Sequence, residues 1–132
     1  MLNPFKKILP EFRRPIKNVQ KQFATQFPSA MNVEWTFGAG IHEAIFYADE
    51  HEVIARFDKK GDLIDYKINL DIHNLPKEVR LAAEKHGEIM NAISINKKSG
   101  LDSYEIIFRD DKLTRFTMLT SSTGTILGIQ LL

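Results

Sequence analysis

Apolar residues fall at Ile16, Val19, Phe23 and Phe27, in steps of three, four and four, the spacing of one face of an α-helix. Pro15 stands where a first turn tolerates a missing N–H, and Pro28 where a helix must stop, so the sequence predicts a helix over 16–27. The period then changes to two. Val33, Trp35 and Phe37 alternate with Glu34 and Thr36, the pattern of a half-buried strand. Gly38, Ala39 and Gly40 turn the chain into a second strand over 43–47. A polar turn at 49–52 leads to a third strand over 53–57. The run Asp58-Lys59-Lys60-Gly61-Asp62 reads as a hairpin in which Gly61 supplies positive φ. A fourth strand over 63–70 places Ile64, Tyr66, Ile68 and Leu70 on one side and Asp65, Lys67 and Asn69 on the other.

The order then restarts. Leu75-Pro76 introduces a helix to about residue 86, with Val79, Ala82 and Ala83 inward and Gly87 as a candidate C-cap. Strands are predicted over 90–95, 104–108, 113–120 and 125–132, with turns at Ser99-Gly100, at 110–112 and at 121–124. Met31 and Met90 lie 59 residues apart, and Gly61 and Gly124 lie 63 apart. This spacing predicts an α+β fold, a tandem repeat of a helix plus four antiparallel strands, with one continuous antiparallel sheet and helices packed on one face. The expected layout is a basic, proline-containing lead-in over 1–15 and a single domain over 16–132, its repeats at about 16–72 and 73–132.

Composition narrows the function classes. A chain of 132 residues with 43% hydrophobic and 27% charged content is that of a globular domain. Its net charge of +1 gives no general pull toward nucleic acid, and no nucleic-acid partner is expected. The absence of cysteine removes thiolate ligands, disulfides and a cysteine nucleophile. No run approaches the ~18 apolar residues of a membrane-spanning helix, so membrane insertion is not expected. The first ten residues lack the apolar stretch and cleavage site of a signal peptide. The chain as written is expected in the cytoplasm, or in the periplasm or outside if a leader has been trimmed.

The residues with catalytic potential do not assemble into a known pattern. His42, His51, His73 and His86 include no pair four apart and are read as surface residues; no metal and no cofactor is expected. Asp58, Asp62 and Asp65 suggest a cation loop, but lysines occupy the positions where an EF-hand needs oxygen ligands, and a plain hairpin is preferred. Ser121, Ser122 and Thr123 lack a nucleophile elbow, and Gly38-Ala39-Gly40 is too short for a phosphate loop. An enzyme is not expected.

The sheet side away from the helices is the stronger candidate. With Val33, Trp35 and Phe37 turned to the helices, Glu34 and Thr36 face the other way. Either Ile45 and Tyr47 or Ala44 and Phe46 join them, with Ile54, Arg56, Ile107 and Arg109. The candidate partner face is taken as Glu34, Thr36, Ile45, Tyr47, Ile54, Arg56, Ile107 and Arg109, a mixture of Tyr, Arg and Ile suited to recognition. The expected function is a non-enzymatic module that binds or inhibits a protein or peptide. The alternative is a carrier of a small apolar ligand, with a pocket near Phe46, Tyr47 and Phe108.

Phe27-Pro28, Asn32-Val33-Glu34-Trp35, Phe57-Asp58-Lys59-Lys60-Gly61, Leu75-Pro76-Lys77-Glu78-Val79, Tyr104-Glu105-Ile106 and the Gly124 hairpin, in that order, resemble the PepSY-like group, whose fold is similar to the β-lactamase-inhibitor protein. The resemblance spans about 16–132. It implies a small non-catalytic domain, often exported, with roles in binding or inhibiting other proteins.

Overall fold

The computed structural model describes residues 15–100 and 102–132. The lead-in up to residue 14, with its basic cluster, lies outside the described residues. Among the described residues, two α-helices, α1 (Lys17–Gln26) and α2 (Lys77–Glu84), accompany eight strands: β1 (Met31–Gly38), β2 (Ile41–Ala48), β3 (His51–Phe57), β4 (Leu63–Leu70), β5 (Glu88–Lys97), β6 (Ser103–Arg109), β7 (Arg115–Ser121) and β8 (Ile126–Leu131). Sheet order equals chain order.

This is a mostly-sheet fold of eight antiparallel strands, and it corrects the expected α+β tandem repeat of a helix plus four strands. The helices hold only 10 and 8 residues. The chain divides into two compact units, residues 1–66 and 67–132, and the division falls inside β4. The first unit therefore holds α1 with three complete strands and part of β4, and the second holds the rest of β4 with α2 and β5–β8, so the two are not copies of one helix-plus-four-strand unit. Tight turns explain the bias toward strand. Ala39-Gly40 and Asp49-Glu50 both take positive φ at the two corner positions, the mirror-image turn that suits strand twist, so the hairpins β1–β2 and β2–β3 close with two residues each.

In the first unit, α1 sets the inner side of the strands through its aromatic residues. Phe23 lies 5.1 Å from the rings of both Trp35 and Phe46, and Phe27 lies 4.9 Å from Phe46 and 5.3 Å from Tyr66. Such tilted and edge-on pairs add a little specificity to the burial of large apolar surfaces. Val19, Ala44, Ala55 and Phe57 are buried beneath them. Gly61, with φ +97°, turns the β3–β4 hairpin against Asn18 at the start of α1.

In the second unit, Leu75, Val79 and Ala83 pack on Ala92, Ile106, Phe108 and Met118. The C-cap expectation for Gly87 is corrected. Its φ is not left-handed; instead a Cβ there would stand 2.1 Å from the carbonyl oxygen of Arg109. Glycine is needed for close approach between chain segments, not for a helix cap.

Candidate functional site

Strand register turns the side-chain alternation into a surface. Trp35 pairs with Ala44 and Ala44 with Ala55, all on the inner side with α1. Their neighbours must point outward. One outer row is Glu34, Ile45 and Ile54; the next is Thr36, Glu43 and Arg56; Tyr47 pairs with Glu52 beyond them. The choice between Ile45/Tyr47 and Ala44/Phe46 falls on Ile45 and Tyr47, because Phe46 is held between Phe23 and Phe27. The six candidate residues of the first unit thus share one side.

Their availability differs. Tyr47 is 49% exposed and Glu34 is exposed, while Ile45 and Ile54 are half-buried ribs between them. Thr36 is only 7% exposed and offers little to a partner. Arg56 is already engaged: its Nε donates to Asp65 Oδ1 at 2.8 Å and its Nη2 to Oδ2 at 2.5 Å, a fork-to-fork pair. The arginine side chain keeps 36% of its exposure and the aspartate 8%. The hydrogen bond to Asp65 raises the Arg56 pKa above its usual range; partial burial opposes this, and the charges of Asp65 and Glu43 add to it. The guanidinium is a fixed cation and a rigid plate.

Asp65, Glu43 and Glu52 were absent from the sequence-derived face. Alternation along β4 already placed Asp65 opposite the inward Tyr66, but the pairing with Arg56 depends on strand register, which composition does not reveal. With them, the outer side of the first unit carries the carboxylates of Glu34, Glu43, Glu52 and Asp65 around Arg56 on β3.

Ile107 and Arg109 belong to the second unit. Ile107 pairs with Asn91 and Thr117, on the side opposite Ile106 and Phe108. Arg109 reaches Glu88 with Nε at 3.0 Å and Nη2 at 2.9 Å, both on Oε2. Lys67 stands 4.0 Å from Glu105. Beside these residues an open groove of about 480 Å³ is lined by Glu105, Thr117, Leu119, Leu127, Gly128 and Gln130.

The other candidates resolve into structural parts. His42 is 4% exposed, 4.5 Å from the Phe37 ring, which corrects the reading of all four histidines as surface residues. It lies on the inner side because it pairs with Phe37 and Phe57. Asp58 Oδ1 accepts the amides of Lys60 and Asp62, and Asp110 Oδ1 those of Lys112 and Thr114. Ser121 Oγ accepts those of Thr123 and Thr125 in the same way. These groups shape hairpins. Among the described residues no three acidic or histidine side chains gather as metal ligands. Of the residues named for an apolar pocket, Tyr47 faces away from Phe46 in the first unit, and Phe108 stacks on Phe116 at 5.3 Å in the second. Among the described residues no helix is long and apolar enough to cross a membrane.

No family model matches the chain, and none of the curated proteins does. Solved structures do. A DUF2874 family protein from Bacteroides ovatus superposes with a TM-score of 0.81 at 18% identity, covering 90% of this chain and 89% of that one. A DUF2874 family protein from Bacteroides uniformis gives 0.81 at 17% identity, over 89% and 90%. A BLIP-like protein from Bacteroides fragilis gives 0.79 at 16% identity, over 92% and 89%. At these identities the likeness concerns the fold: the chain has a fold like that of the β-lactamase-inhibitor protein.

Proposed function

We propose that the chain is a non-enzymatic binding module that holds a protein or peptide on the outer side of β1–β3. The observation that carries this is the exposed Tyr47 beside Ile45 and Ile54, on strands fixed by the unbroken β2–β3 ladder and by the Arg56–Asp65 fork. A rigid aromatic anchor with apolar ribs and a polar surround has the make-up of a protein-contact patch. Four carboxylates around one neutralised arginine favour a partner segment bearing Lys or Arg. The fold likeness to a BLIP-like protein supports binding, with inhibition of the partner as the finer form of the reading. A PepSY-like relationship belongs to the same proposal and rests on the ordered turn and packing motifs. The carrier reading draws less support, since Phe23 and Phe27 already fill the space over Phe46.

The test is affinity capture from separate cytosolic and envelope fractions with wild type and Tyr47→Ala/Glu34→Lys. Both side chains are exposed, so the double variant is expected to keep its fold. The expected result is a partner whose affinity falls on the order of tenfold or more in the variant and weakens with added salt. Equal retention by both proteins would exclude this side of the sheet.

A further inference from the structure

We propose that β8 pairs with the β8 of a second copy of this chain, antiparallel and edge to edge, making a twofold dimer. Sheet order leaves β8 with a neighbour, β7, on one side only among the described residues. The amide of Leu132 donates to the Arg115 carbonyl at 3.0 Å, while Leu131 stands opposite Phe116. Alternation in an antiparallel ladder then turns Gln130 and Gly128 toward β7. It turns the N–H and C=O groups of Ile129 and Leu131 outward. An outward row of backbone groups is a template for an extended strand.

The side chains set the chemistry of that strand. Residues 125–132 carry no charged side chain and no proline, and Ile126, Leu127, Ile129, Leu131 and Leu132 are all exposed. Neither a charged side chain nor a proline guards this edge. β1, which among the described residues has β2 alone beside it, is guarded: Asn32 takes φ +54° within a register shift between Met31 and Glu34, and Glu34 brings a charge. The irregularity in β8 lies near Leu127, so residues 128–132 offer a regular edge.

The occupant must therefore be extended, uncharged and apolar, and β8 itself meets that description. Two identical uncharged strands bring no like charges together, and a twofold axis closes the contact so that no edge is left over. The groove along Leu119, Leu127 and Gly128 continues this edge on its outer side, where a Cβ on Gly128 would meet nothing within 4 Å. It leaves room for side chains of the added strand.

The experiment is sedimentation equilibrium of the full chain over a wide concentration range, with amide exchange followed at low and high concentration. Leu131→Pro removes an outward N–H that β7 does not use, and an edge strand tolerates proline there. Leu131→Lys places like charges across the contact. Wild type is expected to rise from 15.2 kDa toward twice that mass, with the amides of Ile129 and Leu131 gaining protection as it does. Both variants are expected to stay at the monomer mass with unchanged circular dichroism, and Glu34→Lys on β1 to dimerise like wild type. If Leu131→Pro does not fold, Leu131→Lys decides. A wild type that stays monomeric overturns the proposal, including the case where its β8 amides are protected at every concentration because a segment of the same chain covers them. A dimer that survives in the variants overturns it as well.

Discussion

Arg56 in the first unit and Arg109 in the second come from near-identical local sequence, an isoleucine two residues earlier and an arginine on the outer side of a strand. Each meets a carboxylate, but the pairs differ in kind. Asp65 is nearly buried and uses both oxygens; Glu88 keeps 64% of its exposure and offers one oxygen to two nitrogens. The first pair is part of the framework that positions Ile54 and Tyr47. The second is a solvated contact. The same arginine is structural or peripheral according to how much water its partner has lost.

Breaking the pairs should expose that difference. Asp65→Ala leaves a partly buried guanidinium without its acceptor, and chemical denaturation should show a loss of about 2–3 kcal/mol, below the range for fully buried pairs because Arg56 retains solvent contact. Arg56→Met/Asp65→Leu should recover most of that loss, since an apolar pair of similar size avoids the desolvation cost.

The hairpins give an intermediate effect. Three of them share one design, in which an Asp or Ser accepts amides two and four residues on and the residue before the last takes positive φ. That residue is Gly61 in the first unit and Gly124 in the second, but Leu113 in the other hairpin of the second unit, at φ +64°. Leu113→Gly should raise stability by about 1 kcal/mol, read as a higher denaturation midpoint, because the left-handed conformation costs leucine about that much. The smallest change is expected for Glu88→Ala, within about 1 kcal/mol and fading in high salt, as for other exposed pairs.

Much of the fold was legible because its signals are local. The three-and-four spacing of Val19, Phe23 and Phe27, the alternation through Trp35, and the glycine hairpins all act within a few residues. The fold class was misread because a helix followed by strands, twice, looks like a repeat in sequence, whereas the compact units divide inside β4, between Tyr66 and Lys67. The helices are also short beside the strands. The outer side of β1–β3 was recoverable by counting alternate residues from Trp35. Thr36 was overvalued because alternation gives direction, not exposure. The pairing of Arg56 with Asp65, nine residues on, required the register of β3 and β4. Gly87 was misassigned because the Arg109 carbonyl that excludes its Cβ is 22 residues away in sequence. The edge character of β8 became visible only with strand order.

The most direct test of a binding surface on β1–β3 is a methyl NMR titration of isoleucine-labelled protein with the partner obtained by capture. Ile45 and Ile54 lie on the outer side of the first unit, and Ile106 lies in the core of the second. Shifts or broadening concentrated at Ile45 and Ile54, absent in Tyr47→Ala/Glu34→Lys, are the expected result. Perturbation confined to Ile107, Ile126 and Ile129, with Ile45 and Ile54 unmoved, would contradict the account and move the contact to the second unit.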